Sequence, residues 1–208
     1  MKKKKVYLFA CIEKNIGDDL FIYLVSKRYP NVNFVISGDA KYLQQNNLTN
    51  LEYSEILRKW LKFANNESNN VIKRFLISIL EKIYRLKLKK LDSIYIVGNA
   101  FKNTNYKGNY QINWLKKRLY ISNNFYLIST NYGPANCDEW KKACHDVFSK
   151  MTDVCFRDVT SFDAFRDLKN VRYAPDAVLS IDVDNSSKNK ILEDKYIIMS
   201  IMVFLLCQ

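Results

Sequence analysis

Histidine, proline and glycine are scarce in this chain, with one, three and five among 208 residues. The lone His145, together with cysteines at 11, 137, 144, 155 and 207 that form no CxxC pair, leaves no Cys/His zinc spacing. The thiols read as reduced and mostly packed. No GxGxxG occurs, which excludes the usual dinucleotide fingerprint. Nor is there an apolar run of the roughly 20 residues that a membrane-spanning helix requires. The apolar stretch 196–207 reads instead as a buried strand. Near the start, the apolar run 6–12 is shorter than a signal-peptide core and lacks a small-residue cleavage site, so the expected location is cytoplasmic.

Hydrophobic residues make up 48% and aromatics 14%, enough for one substantial core. Charge is unevenly spread. Residues 1–120 hold 23 basic and 9 acidic side chains, whereas residues 121–208 hold 10 and 12. A basic first half attracts something anionic: a phosphorylated substrate, an acidic membrane surface or nucleic acid. The basic residues are scattered over several expected helices, without a zinc finger, an RNP-like aromatic strand or a helix-turn-helix, and this argues against nucleic acid.

Strand-like apolar runs at 5–11, 32–36, 93–97, 125–129, 154–157 and 171–173, with a later one near 195–203, alternate with helical patterns. The alternation predicts an α/β fold, a Rossmann-like, mainly parallel sheet flanked by helices. A helix over 18–29 stops at Pro30, which cannot continue the backbone ladder. Ile72, Phe75, Leu76, Ile79, Leu80 and Ile83 recur at spacings of three and four, sharing one face of a second helix whose remainder carries Lys73, Arg74, Lys82 and Arg85. Packing against the sheet is the ordinary use of such a face; docking on an anionic membrane is the other. Trp140, Ala143, Cys144, Val147 and Phe148 mark a third helix, and His145 falls away from that stripe as a surface histidine. Thr160 and Asp163 make a capping-box-like start to a fourth. Asparagine-rich stretches at 45–50, 65–70 and 103–109 read as surface loops. The expected division is a Rossmann-like N-terminal domain over 1–183, then a linker and the start of a truncated C-terminal domain over 184–208.

Three of the five glycines, Gly17, Gly98 and Gly133, follow the ends of expected strands, where open α/β sheets place their ligand crevice. After the first strand, EKNIGDD opens a helix whose free N–H groups favour an anion. Asp18 and Asp19 would repel a phosphate there, so Asp18 suits a sugar hydroxyl or simply caps the helix. In VGNAF, Gly98 and Asn99 let the backbone approach a ligand or a neighbouring loop closely. STNYGP sets Thr130 and Asn131 beside Gly133, as a polar-ligand contact or as a rigid turn. Arg157 ends the run VCF, where a strand can hold its planar fork at the crevice for a carboxylate or phosphate. The alternative for Arg157 is an ion pair with Asp158 or another strand-end carboxylate.

Four segments in order, NIGDD, IYIVGNAF, STNYGP, and VCFRDVTSFDAF followed by VRYAPDAVLS, resemble the polysaccharide pyruvyl transferases over about residues 5–182. The FRD-x-x-S segment with its downstream PDAV is the most specific part. At Gly98, Asn99 and Ala100 the chain departs from the family pattern, which usually shows a second glycine and a serine. The resemblance implies the N-terminal half of a two-domain enzyme of the GT-B kind. The second half of such an enzyme supplies an Arg and a His in a short motif, none of which follows Asp182, so a catalytically incomplete chain is expected.

The chemistry implied by the resemblance is transfer of the enolpyruvyl carbons of phosphoenolpyruvate onto two hydroxyls of a sugar, as in exopolysaccharide biosynthesis. Phosphoenolpyruvate is then a donor substrate, the acceptor is a sugar or lipid-linked glycan, and neither a separate cofactor nor a metal is expected. Arg157 would contact an anionic group of the donor, while Asp18 and Asn15 orient the acceptor. Asp158 and Ser161 would brace Arg157 and cap the following helix. The alternatives are an inactive sugar- or anion-binding remnant, or a basic interaction module for membrane or nucleic acid. A peripheral position at the inner face of the membrane fits the first reading.

Overall fold

The computed structural model describes residues 3–11, 16–38, 48–65, 70–98, 101–103, 110–135 and 137–180. Asn15, Asn99, the linker at 184–190 and the strand expected near 195–203 lie outside them. Among the described residues nine strands occur in chain order: β1 (Lys4–Ala10), β2 (Val32–Ile36), β3 (Leu51–Tyr53), β4 (Leu91–Ile96), β5 (Phe101–Asn103), β6 (Ser122–Thr130), β7 (Tyr132–Ala135), β8 (Asp153–Phe156) and β9 (Val171–Tyr173). The helices are α1 (Ile16–Arg28), α2 (Glu55–Ala64), α3 (Val71–Lys87), α4 (Tyr110–Tyr120), α5 (Asp138–Phe148) and α6 (Val159–Ala164).

Seven strands form one sheet in the order β3-β2-β1-β4-β6-β8-β9, every neighbouring pair parallel. This is the Rossmann-like α/β arrangement that the alternation of runs predicts. The order reverses between β1 and β4, and a reversal of this kind leaves a crevice outside the strand ends. β5 and β7 pair with each other as a separate two-stranded parallel sheet.

Because successive side chains on a strand point to opposite faces, β1 divides its apolar residues between two cores. Val6 and Leu8 pack with Phe21, Ile22 and Val25 of α1, while Tyr7 and Phe9 pack with Leu57 and Trp60 of α2 and with Ile112 and Leu115 of α4. Trp140, Cys144, Val147 and Phe148 of α5 complete the second core, as their spacing predicts. His145 lies off that stripe, 41% exposed, with its Nε2 2.7 Å from Asp167 Oδ2.

The stripe Ile72, Phe75, Leu76, Ile79, Leu80 and Ile83 faces solvent, contrary to the expectation that it packs on the sheet. The sheet at that point is already covered by α2, and α3 lies outside α2. α3 meets α2 through its opposite side, where buried Glu81 accepts from Trp60 Nε1 at 2.9 Å and Tyr84 stacks on Phe63.

Two asparagines, Asn50 and Asn170, are structural anchors. Asn50, in a stretch read as a surface loop, is buried, and its Nδ2 donates to the carbonyls of Ser26, Tyr29 and Val32. A carboxamide offers two donors and an acceptor on a short arm, so one residue can tie the end of α1 to the start of β2. Asn170 does likewise, donating to Phe148 O and Met151 O, both at 2.8 Å.

Candidate functional site

The site is built where β4, β6 and β8 end side by side. β8 delivers Arg157 just past Phe156, and its backbone N–H donates to Thr130 O at 2.9 Å. The guanidinium then crosses to β4: a Cβ built on Gly98 would stand 3.1 Å from Arg157 Nη1, 3.3 Å from Nη2 and 3.4 Å from Cζ. Glycine at 98 is thus what allows the cation to reach past β6 and lie against the end of β4. Gly98 O in turn accepts from Asn131 N at 3.0 Å and from Thr130 Oγ1 at 3.4 Å. Four residues singled out in the sequence, Gly98, Thr130, Asn131 and Arg157, therefore share one spot.

The partner of Arg157 is Asp176, not Asp158. Arg157 Nη1 lies 2.7 Å from Asp176 Oδ2, with both side chains about a quarter exposed. Asp176 Oδ1 also accepts from Ser129 Oγ at 3.0 Å and from Val178 N at 3.1 Å, and Ser129 Oγ accepts from Ala177 N at 3.0 Å. Among the described residues nothing else accepts from the guanidinium, so the remainder of its fork is available to an anion. Ser129 takes part because the β6–β8 register shifts between Ile128 and Thr130, and Ser129 adopts a positive φ of 58°.

Asp158 and Ser161 act beside Arg157 without touching it. Asp158 caps α6, with Ser161 N donating to Oδ1 at 2.8 Å and Ser161 Oγ to Oδ2 at 2.6 Å. The cap expected from Thr160 and Asp163 is thus displaced two residues upstream, where a carboxylate meets the first free N–H groups. Ser161 Oγ also accepts from Tyr132 N at 2.7 Å, which ties β7 to α6. Gly133, next along β7, has a φ of +96°, a conformation that side chains rarely adopt.

Across the topological switch, Gly17 is exposed and Asp18 half-buried in the first turn of α1. Asp18 is not the cap, because the helix already begins at Ile16. Asp18 and Cys11 lie within electrostatic reach of the Tyr95 hydroxyl on β4, which burial above all pushes up to about 12. Arg118 of α4 is a cation that sequence reading missed: it is buried, with its guanidinium over Phe9 at 5.0 Å, and it too acts electrostatically on Tyr95. Its place in the run KKRLY looks like ordinary helix surface.

One feature points to a ligand. Asn131 Oδ1 is buried and has no hydrogen-bond partner among the described residues, at the very residue whose backbone is fixed to Gly98. Such an acceptor is costly unless a donor arrives to meet it. A separate groove of about 720 Å³ lies on the α1 face of the sheet, with Tyr23, Ile128, Arg172 and Pro175 in its walls. It shares Ser129 and Ala177 with the Asp176 network and holds none of the site residues selected from the sequence. Among the described residues no group of three or more His, Cys, Asp or Glu side chains is placed to hold a metal ion, and no helix is long and apolar enough to cross a membrane.

The family model described as polysaccharide pyruvyl transferase matches residues 15–205, nearly the whole chain. No curated protein and no solved structure gives a significant match.

Proposed function

For a chain that belongs to the polysaccharide pyruvyl transferase family, we propose that the crevice at the strand ends binds phosphoenolpyruvate and passes its three-carbon unit to two hydroxyls of a sugar as a cyclic ketal. Family membership implies a polysaccharide acceptor; a lipid-linked glycan, handled on the cytoplasmic side of a membrane, is the form of it we favour. Two sugar oxygens bond to C2 of the donor while the C2–O bond to phosphate breaks. Of the two hydroxyl protons released, one is matched by the proton gained at C3, which becomes a methyl group, and the other leaves with inorganic phosphate.

The observation that carries this reading is the Arg157 guanidinium, held by Asp176 against Gly98 with most of its fork unspent among the described residues. A donor with a carboxylate and a phosphate needs such a cation, pre-aimed, in a partly water-excluded place. Asn131 Oδ1 and the Thr130 hydroxyl suit the neutral hydroxyls of the acceptor, and Asp18 lies across the switch point to orient one of them and take its proton. Asn15 and Gly17 adjoin Asp18 in sequence and belong with the acceptor side. Phosphoenolpyruvate is consumed here as a substrate, and the reading calls for no resident cofactor.

Thermal shift with phosphoenolpyruvate tests it. Phosphoenolpyruvate is expected to raise the melting temperature of the chain and to leave that of Arg157→Ala unmoved. No shift at millimolar donor, or an equal shift in both proteins, removes the assignment.

A further inference from the structure

α3 presents to solvent the side that a soluble helix ordinarily hides. Ile72 is 73% exposed, Phe75 65%, Leu76 54% and Leu86 84%, and Ile79, Leu80 and Ile83 are exposed with them. At about 100° per residue these positions centre on the side opposite Glu81. Glu81, the only acidic residue of the helix, is turned inward onto Trp60 and is 8% exposed. The polarity of the helix is thus reversed relative to its packing.

The margins of the exposed stripe are cationic. Lys73, Lys82 and Lys87 flank it on the helix and Lys89 and Lys90 follow the helix end, while Arg74 and Arg85 fall toward the Glu81 side, where Arg85 Nε lies 3.8 Å from Glu81 Oε1. The guanidinium of Arg85 lies 4.6 Å from the centre of the Tyr120 ring, and Lys90 Nζ lies 5.4 Å from it, so an exposed aromatic stands among the cations. An apolar ridge bordered by long basic side chains and a tyrosine matches a bilayer surface: aliphatic groups enter the acyl boundary while the charged ends rise to the headgroups. A second copy is a poor occupant, because stripe-to-stripe docking would bring Lys73, Lys82 and Lys87 of the two copies together.

We propose that α3 lies on anionic lipid, embedding Ile72, Phe75, Leu76, Ile79 and Ile83 while Lys73, Lys82 and Lys87 meet the headgroups. The helix is an in-plane anchor, and the strand ends with Arg157 lie outside it, so the proposal stands independently of any ligand at Arg157.

Co-sedimentation of the full chain is the test, with vesicles of phosphatidylcholine alone and of phosphatidylcholine containing roughly one third phosphatidylglycerol. The chain is expected to pellet with the anionic vesicles, to remain in solution with the neutral ones, and to be released by salt. The triple variant Ile72→Ser, Phe75→Ser, Leu76→Ser and the charge variant Lys73→Glu, Lys82→Glu should each weaken pelleting by about tenfold or more. All five positions are exposed, so both variants should keep the wild-type circular dichroism and melting temperature. Failure to pellet with anionic vesicles at low salt overturns the proposal. Pelleting that both variants retain does so too, as does a dimer on gel filtration that the serine variant dissolves.

Discussion

Arg157 and Gly98 end strands that are not neighbours, β8 and β4, yet the guanidinium of one occupies the space that a side chain on the other would need, at 3.1 Å from where its Cβ would stand. β6 lies between them and supplies Thr130, whose carbonyl holds the Arg157 backbone and whose hydroxyl reaches Gly98 O. The cation is therefore set by three strands at once. Its aim depends on features that single substitutions can separate.

Arg157→Lys keeps the charge and loses the fork. A charge-assisted pair of hydrogen bonds is worth enough that phosphoenolpyruvate affinity should fall by about thirtyfold or more, measured by calorimetry. Asp176→Asn should cost less, because the guanidinium stays over Gly98 and only its brace weakens. If the lysine variant binds the donor as wild type does, Arg157 is not the donor contact.

Gly98→Ala puts a methyl group against a flexible side chain, not against backbone, so the fold should give little. The expected stability loss is about 1 kcal/mol or less, with a several-fold loss of donor affinity as the guanidinium is pushed aside. Urea unfolding beside calorimetry separates the two effects. A large loss of stability with unchanged donor affinity would contradict the close approach described.

Asn131 and Asn50 offer a contrast in one residue type. Asn131→Ala removes a buried acceptor that has no partner, so unfolding should show a change within about 0.5 kcal/mol, while affinity for a pyranoside acceptor falls. Asn50→Ala removes the Nδ2 donor to the carbonyls of Ser26, Tyr29 and Val32 and the acceptor of the buried Ser26 hydroxyl, and should cost about 3 kcal/mol without touching ligand affinity.

Alkaline stability should fail through tyrosine. Burial pushes the hydroxyls of Tyr7, Tyr95 and Tyr132 up to about 12 from the ordinary 10.0. A folded value above the unfolded one means that the stabilisation is fully present below pH 10 and is lost as pH rises toward 12. For Tyr95 the loss is on the order of 3 kcal/mol. Tyr95→Phe should flatten the alkaline limb of the stability profile. An unchanged limb would show that Tyr95 ionises as freely in the folded chain as in the unfolded one.

Most strands were legible because each is an apolar run bounded by polar turns, and β2 and the three-residue β9 begin and end where the sequence places them. β3, β5 and β7 were not, since LEY, FKN and YGPA are short and hold no apolar run to stand out from a loop. Arg157 could be found because it ends an apolar run. Asp176 sat in a quoted segment, but its pairing across 19 residues depends on β9 and the turn after it, which no local pattern states. Asn50 was misread because composition marks a loop and says nothing of what the loop's last side chain holds. On α3 the spacing was right and the direction wrong: periodicity reveals that a helix has two sides, and only the position of α2 decides which one turns inward.

The register shift at Ser129 gives adjacent hydroxyls separate duties. Ser129 serves Asp176 and the backbone at Ala177, while Thr130 serves Gly98 and, through its carbonyl, Arg157. A chain lacking that extra residue would carry Thr130 and Asn131 to the other side of the pleat. Deleting one residue here would therefore turn the Thr130 and Asn131 side chains to the opposite face of the sheet while leaving the strand count intact.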